Sequence, residues 1–332
     1  MHLIIGAGAV GTVLAGCLLN AGREVTLVVP VGRLGWYMQS ELLQVDDSHH
    51  RARYRFPAPE IVEIGNADAL KGVSHIYLAT KYSGLTEVLS WLKAGELASN
   101  VQIISCLNGI AGKRQAAEQL GRPVEFMTVM FNARRDGPLH AALTTKEIIQ
   151  FESPNSPLGK LYKQGGAVVQ AGSAEGMWGK LLINLNNSIC ALCDSSFLDM
   201  FSNPDLKGIY IAVLEESIPL LEKHQIKYKL PMPLSWEQFR WLSINASPVL
   251  SFAAKHLNGL TADSVPSMVA DMRARRVTEV GELNGEFVRL AAAINHTSPL
   301  NQQIVALVKA MEQGDEYQPL SPSELKRALK LS

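Results

Sequence analysis

The sequence predicts an α/β fold: an N-terminal doubly wound parallel sheet followed by an all-helical C-terminal domain. Three observations carry this expectation. Short apolar runs recur at His2–Ile5, Glu24–Val29, His75–Thr80, Val101–Ser105 and Glu125–Met130, and helical stretches separate several of them. Such runs suit strands buried on both faces, and their alternation with helices points to a parallel sheet. From Ser173 onward the strand signals vanish, and helical stretches follow at Met177–Leu192, Leu206–His224 and Pro266–Asn295. The chain has 332 residues, more than one hydrophobic core usually serves. The expected domains are therefore 1–172 and 173–332.

Composition narrows the partners. Hydrophobic residues make up 47% and charged residues 19%, an ordinary globular balance. Lys+Arg and Asp+Glu are both 31, so no overall field draws the protein to nucleic acid or to an anionic membrane. A small, locally recognised ligand is expected instead. Cys17, Cys106, Cys190 and Cys193 lack the spacing of a disulfide framework, which suits a reducing, cytoplasmic setting. Cys190 and Cys193 form a CxxC without a second ligand pair, so no metal site is expected there and both read as small apolar helix residues. The apolar start, Met1–Leu19, lacks the basic flank of a signal peptide. No apolar run reaches 18 residues, so no membrane span is expected.

The first element justifies itself by its glycines. His2–Ile5 reads as a strand, Gly6-Ala7-Gly8-Ala9-Val10-Gly11 as a tight turn, and Val10–Leu19 as a helix ending near Gly22. This is GxGxxG between a strand and a helix, the context that gives an otherwise weak motif its meaning in a Rossmann-type domain. Gly6 permits the turn, Gly8 lets backbone approach a pyrophosphate, and Gly11 lets the helix pack on the strand. The helix N-terminus then offers N–H groups to the phosphates. A dinucleotide site over Gly6, Ala7, Gly8, Ala9, Val10 and Gly11 is expected. The second strand ends Val28-Val29-Pro30-Val31-Gly32-Arg33, without the acid that selects NAD. Arg33 could meet a 2′-phosphate or be solvated.

In the second half, Trp178–Ile189 is apolar except for one stripe. At 100° per residue Lys180, Asn184, Asn187 and Ser188 fall within about 100° of one another. A helix apolar nearly all round is buried, so its polar stripe faces partners or a pocket. A buried lysine has a readily shifted pKa, which suits proton donation. An exposed face with a solvated lysine satisfies the same pattern. Further on, Pro266–Gly285 reads as a charged helix with i,i+4 support such as Asp271 to Arg275, its charges solvated.

Together these stretches resemble the ketopantoate reductase (2-dehydropantoate 2-reductase) family over essentially the whole chain. The resemblance rests on Gly6–Gly11, Lys81, Leu107-Asn108-Gly109, Ala133–Gly137, Lys180–Asn184 and the segment Ser267…Thr278-Glu279…Asn284-Gly285. It implies an oxidoreductase that uses NADPH to reduce 2-dehydropantoate, a branched 2-keto acid, to pantoate for pantothenate biosynthesis. It further implies that Lys180 is the proton donor and that Glu279 lies near the nicotinamide and the substrate hydroxyl. By the same resemblance Lys81, Asn108 and Ala133 line the cofactor, while Asn184, Ser188 and Ser267 hold the substrate. Only the resemblance raises Glu279 and Ser267.

Three positions depart from the family pattern. Pro30 stands where many relatives carry an arginine for the 2′-phosphate, which leaves NAD open beside NADP. Ser188, with Asn187 beside it, replaces a second asparagine, and Gly281 replaces an aspartate. A related dehydrogenase of another 2-keto acid or an opine-type imine, and a non-catalytic NADP-binding regulator, are the alternatives. Ser267 and Glu279 are twelve residues apart, roughly 18 Å on an unbroken helix, so one small substrate reaches both only if the helix is interrupted. A loop at Pro266-Ser267 folded over the site is expected. The segment Ser243–Leu257 could pack in the core or pair two subunits as a homodimer.

Overall fold

The computed structural model describes residues 1–47, 51–153, 155–246 and 265–331. The chain divides into two compact units, Met1–Ala174 and Glu175–Ser332.

In the first unit the strands are β1 (His2–Ile5), β2 (Val25–Val29), β3 (Leu42–Asp46), β4 (Ala52–Pro57), β5 (Glu60–Glu63), β6 (His75–Leu78), β7 (Gln102–Ser105), β8 (Glu125–Val129), β9 (Ala133–Gly137), β10 (His140–Leu143), β11 (Ile148–Phe151) and β12 (Val168–Gln170). The helices are α1 (Ala9–Asn20), α2 (Leu34–Tyr37), α3 (Tyr82–Ala94), α4 (Ala111–Leu120) and α5 (Pro157–Gln164). The main sheet has the order β12-β11-β8-β7-β6-β1-β2-β5. From β8 to β5 every neighbouring pair is parallel. All five strands expected from the apolar runs are present in it.

Alternation along each strand sends side chains to opposite faces. Ile4, Leu27, Tyr77 and Ile104 join one core with α1 and α5. Leu3, Ile5, Val28, Ile76, Leu78 and Ile103 join another with α3 and α4. Both faces are therefore covered, which is why these strands read as continuous apolar runs.

Two features differ from a purely parallel sheet. β11 runs antiparallel to β8, because β9 and β10 separate them where a parallel pair would need a crossover helix. A second sheet, β4-β3-β10-β9, lies against α1, which is thus enclosed between two sheets. Arg53 and Tyr54 of β4 both donate to Glu147 Oε2, each at 2.7 Å, and so tie that sheet to the start of β11.

Among its described residues the second unit is helical: α6 (Ala174–Asn184), α7 (Asn186–Cys193), α8 (Phe197–Ser202), α9 (Pro204–Lys223), α10 (Trp236–Asn245), α11 (Ser267–Arg273), α12 (Val280–Ala293), α13 (Pro299–Gln313) and α14 (Pro322–Ala328). Two stretches expected as single helices are divided. Met177–Leu192 breaks at Leu185, whose N–H turns back to Leu182 O (3.3 Å) in a tighter turn. Pro266–Asn295 splits into α11 and α12. The segment Ser243–Leu257 is described only as far as residue 246, beyond which it lies outside the described residues. Within the described residues no helix is long and apolar enough to cross a membrane.

Candidate active site

The residues expected to hold a dinucleotide lie along one edge of the main sheet. Gly6–Gly11 follow β1, Lys81 follows β6, Asn108 follows β7 and Ala133 follows β8. These four strands are neighbours, and all four segments leave their carboxyl ends. The strand order reverses between β1 and β6, so this edge holds the crevice where open α/β sheets bind ligands.

The turn itself is shaped by what its glycines avoid. Gly6 has φ +111°, and a Cβ there would stand 2.6 Å from Ala79 O. A Cβ on Gly11 would stand 1.8 Å from Gly6 O, so α1 can start this close to β1 only without a side chain. Gly8 is different: a Cβ there would meet nothing within 4 Å. It caps α1 with no side chain bonded to the helix N-terminus, and the first turn holds no acid. The open space beside Gly8 and the forward-pointing N–H groups fit a pyrophosphate.

Lys81 is exposed at the N-cap of α3, and Asn108 and Ala133 are half-buried. Tyr82, which sequence reasoning missed, organises this corner. Its hydroxyl donates to Asn108 O at 2.6 Å and accepts from Gly112 N–H at 2.9 Å. The contact spans 26 residues and leaves no periodic trace, so only the fold reveals it. Pro30 and Arg33 are exposed after β2, Arg33 capping α2.

In the second unit, Lys180 and Asn184 sit one turn apart on α6, both half-buried. Burial pushes the Lys180 ammonium down to about 8, and the Glu279 carboxylate opposes that by favouring the charged form. Lys180 and Glu279, 99 positions apart in the sequence, are thus close enough to interact. Ser188 is fully buried on α7, and its hydroxyl donates to Leu185 O at 3.0 Å. Asn187 is also buried, its Oδ1 without a hydrogen bond. Cys190 faces the core on α7, and its thiol donates to Ser196 O at 3.7 Å.

The segment from Ser267 to Glu279 is interrupted, and the interruption has a local cause. After α11, Arg276 N–H bonds Asp271 O (2.9 Å) and Arg275 N–H bonds Met272 O (3.0 Å), with Arg275 at φ +55°. This is a Schellman turn with arginine at the left-handed position that usually takes glycine. The conformation persists because the Arg275 guanidinium reaches the last carbonyls of α13, at Met311 (3.2 Å), Glu312 (3.3 Å) and Gly314. The expected Asp271–Arg275 pair is absent for the same reason: Asp271 bonds Arg276 instead, at 2.8 Å. Arg273, Arg275 and Arg276 are exposed, as expected of solvated charges, and Arg275 and Arg276 also bind the ends of α13 and α11. Pro266 caps α11 and Ser267 is its exposed first residue, while the stretch of the expected loop before residue 265 lies outside the described residues. Glu279, half-buried, is the N-cap of α12.

A glycine turn at the carboxyl edge of a doubly wound sheet, in one chain with a half-buried lysine whose charged form a carboxylate favours, is the make-up of an NAD(P)-dependent oxidoreductase. Residues 2–156 match the ketopantoate reductase PanE/ApbA family and residues 174–312 match its C-terminal family. The chain belongs to the PanE/ApbA ketopantoate reductase family. It is 24% identical over 328 residues to 2-dehydropantoate 2-reductase of Pyrococcus horikoshii, covering 93% of this chain and 96% of that one. The enzyme of that name from Pyrobaculum aerophilum is 26% identical over 317 residues, covering 94% and 98%. The fold is similar to that of a PanE/ApbA family ketopantoate reductase from Ralstonia eutropha JMP134 (TM-score 0.75, 20% identity, 94% of this chain and 98% of that one). It is equally similar to that of a D-mandelate dehydrogenase solved with NADH and anilino(oxo)acetate (TM-score 0.74, 19% identity, 94% and 98%).

Proposed function

We propose that the protein reduces a small branched 2-keto acid, 2-dehydropantoate, to the 2-hydroxy acid pantoate, with Lys180 as proton donor. The unit Met1–Ala174 binds the coenzyme through Gly6–Gly11, Lys81, Asn108 and Ala133, and the unit Glu175–Ser332 carries the proton donor. The observation behind this reading is the setting of Lys180: half-buried on α6 with Asn184 one turn on, and within reach of the Glu279 charge, its ammonium is pushed by burial down to about 8, charged near neutrality yet able to release its proton. A bound reduced nicotinamide supplies the hydride.

As negative charge builds on the substrate carbonyl oxygen, the Lys180 ammonium stabilises it and then transfers a proton to it. The product is a hydroxyl, and Lys180 is left as the neutral amine. Glu279 holds Lys180 charged before the transfer. Asn184, one turn along α6, and Ser267, at the start of α11, supply polar groups for the substrate carboxylate and hydroxyl.

A second reading is favoured by one observation. Ser188 keeps its hydroxyl within its own helix, so the substrate contact of the usual asparagine is not reproduced there. Another 2-keto acid is then the substrate, a reading in keeping with the similar fold of a D-mandelate dehydrogenase, since one fold hosts different substrates. Coenzyme oxidation with a panel of 2-keto acids decides between the two. The leading reading expects kcat/KM for 2-dehydropantoate to exceed that for any other keto acid by about a hundredfold. A flat panel, or another acid preferred, sinks it.

A further inference from the structure

The end of β2 carries no acid, but the structure puts one beside it. β5 pairs with β2 in parallel with Glu63 opposite Val29, and Ile64 N–H continues the ladder to Val29 O at 2.9 Å. β2 in turn holds the glycine turn, Gly6 N–H donating to Val28 O at 2.9 Å. Glu63 thus stands at the carboxyl edge of the sheet, two strand spacings or roughly 10 Å from the backbone of Gly6. Its side chain is turned toward the segment that follows β2: Oε1 accepts from Leu34 N–H at 3.1 Å. That bond fixes the carboxylate beside the turn Pro30–Arg33, which Arg33 N–H closes on Pro30 O at 3.1 Å.

We infer that Glu63 accepts a hydrogen bond from the 2′-hydroxyl of the adenosine ribose and selects NADH over NADPH. The inference rests on the coenzyme reading of the glycine turn. In dinucleotide folds an acid at the end of the second strand performs this recognition. Here β5 delivers a carboxylate to the same turn from one strand further out. A 2′-phosphate would place up to two further negative charges against it. Arg33 is the opposing cation on the turn. Glu63 is half-buried and fixed by the Leu34 N–H, whereas Arg33 is exposed, where water and salt screen its charge. The carboxylate therefore sets the preference.

Titrating nicotinamide fluorescence with NADH and with NADPH, without any keto acid, tests this directly. The wild-type protein is expected to bind NADH at least about tenfold more tightly than NADPH. Glu63→Gln keeps an oxygen for Leu34 N–H and removes the charge. It is expected to bring the two Kd values within about threefold, chiefly by tightening NADPH. Arg33→Ala should leave the NADH Kd unchanged. Equal or tighter NADPH binding by the wild type overturns the inference alone, as does a Glu63→Gln change that moves both Kd values by one factor. Binding of neither coenzyme overturns the coenzyme reading with it.

Discussion

The Gly6–Gly11 turn and the Lys180 helix build their sites in opposite ways. At the turn the chemistry is backbone: glycines remove side chains so that N–H groups and a helix end are presented. On α6 the chemistry is one side chain, and the surrounding protein acts on it by burial and by the charge of Glu279. A backbone site depends on shape, so a single methyl group can break it. A side-chain site depends on the energy of one proton, so its test is removal of that proton or of the charge that holds it.

The sharpest way to break the contrast is Lys180→Ala. If Lys180 donates the proton, kcat for keto acid reduction should fall by about 10²–10⁴, the usual contribution of general acid catalysis. Coenzyme Kd should stay within about twofold, because no backbone group of the turn is touched. Wild-type-like turnover would remove Lys180 from the mechanism.

A pair of glycine variants probes the other site with a smaller effect. Gly11→Ala places a methyl 1.8 Å from Gly6 O, and backbone must move. It should lower stability by about 1–3 kcal/mol, measured by denaturant unfolding, and weaken coenzyme binding as well. Gly8→Ala meets no protein atom within 4 Å, so stability should hold while coenzyme Kd rises by about tenfold. Equal losses of stability in the two variants would mean that the space beside Gly8 is not the ligand's.

The same contrast explains what the sequence could be read for. Backbone geometry needs particular residues, so Gly6, Gly8 and Gly11 announced the turn, and strands buried on both faces announced themselves as apolar runs. The second sheet was not anticipated, although Leu42–Asp46 alternates buried and half-buried residues along its length. β9 leaves no apolar run in the sequence because Arg134, Arg135 and Asp136 are exposed. The breaks in the helical unit depend on partners far along the chain. Arg275 can hold a left-handed conformation only because the end of α13 receives it, a contact spanning 36 to 39 residues. Lys180 and Asn184 were visible as a stripe, while Glu279 rested on family resemblance, since its effect on Lys180 exists only after folding.

The finest prediction concerns that effect. The reducing reaction needs Lys180 charged, so kcat should fall as pH rises through about 8, tending to a tenfold loss for each further pH unit. Oxidation of the 2-hydroxy acid needs the neutral amine and should rise over the same range. Glu279→Gln removes the charge that opposes the effect of burial, so the Lys180 pKa drops further. The alkaline limb of the reduction profile should then move to lower pH, by up to about one unit. If Glu279 only caps α12, its loss would lower kcat equally at every pH and leave the limb in place. A displaced limb with a similar plateau at low pH identifies Glu279 as the group that keeps the donor charged.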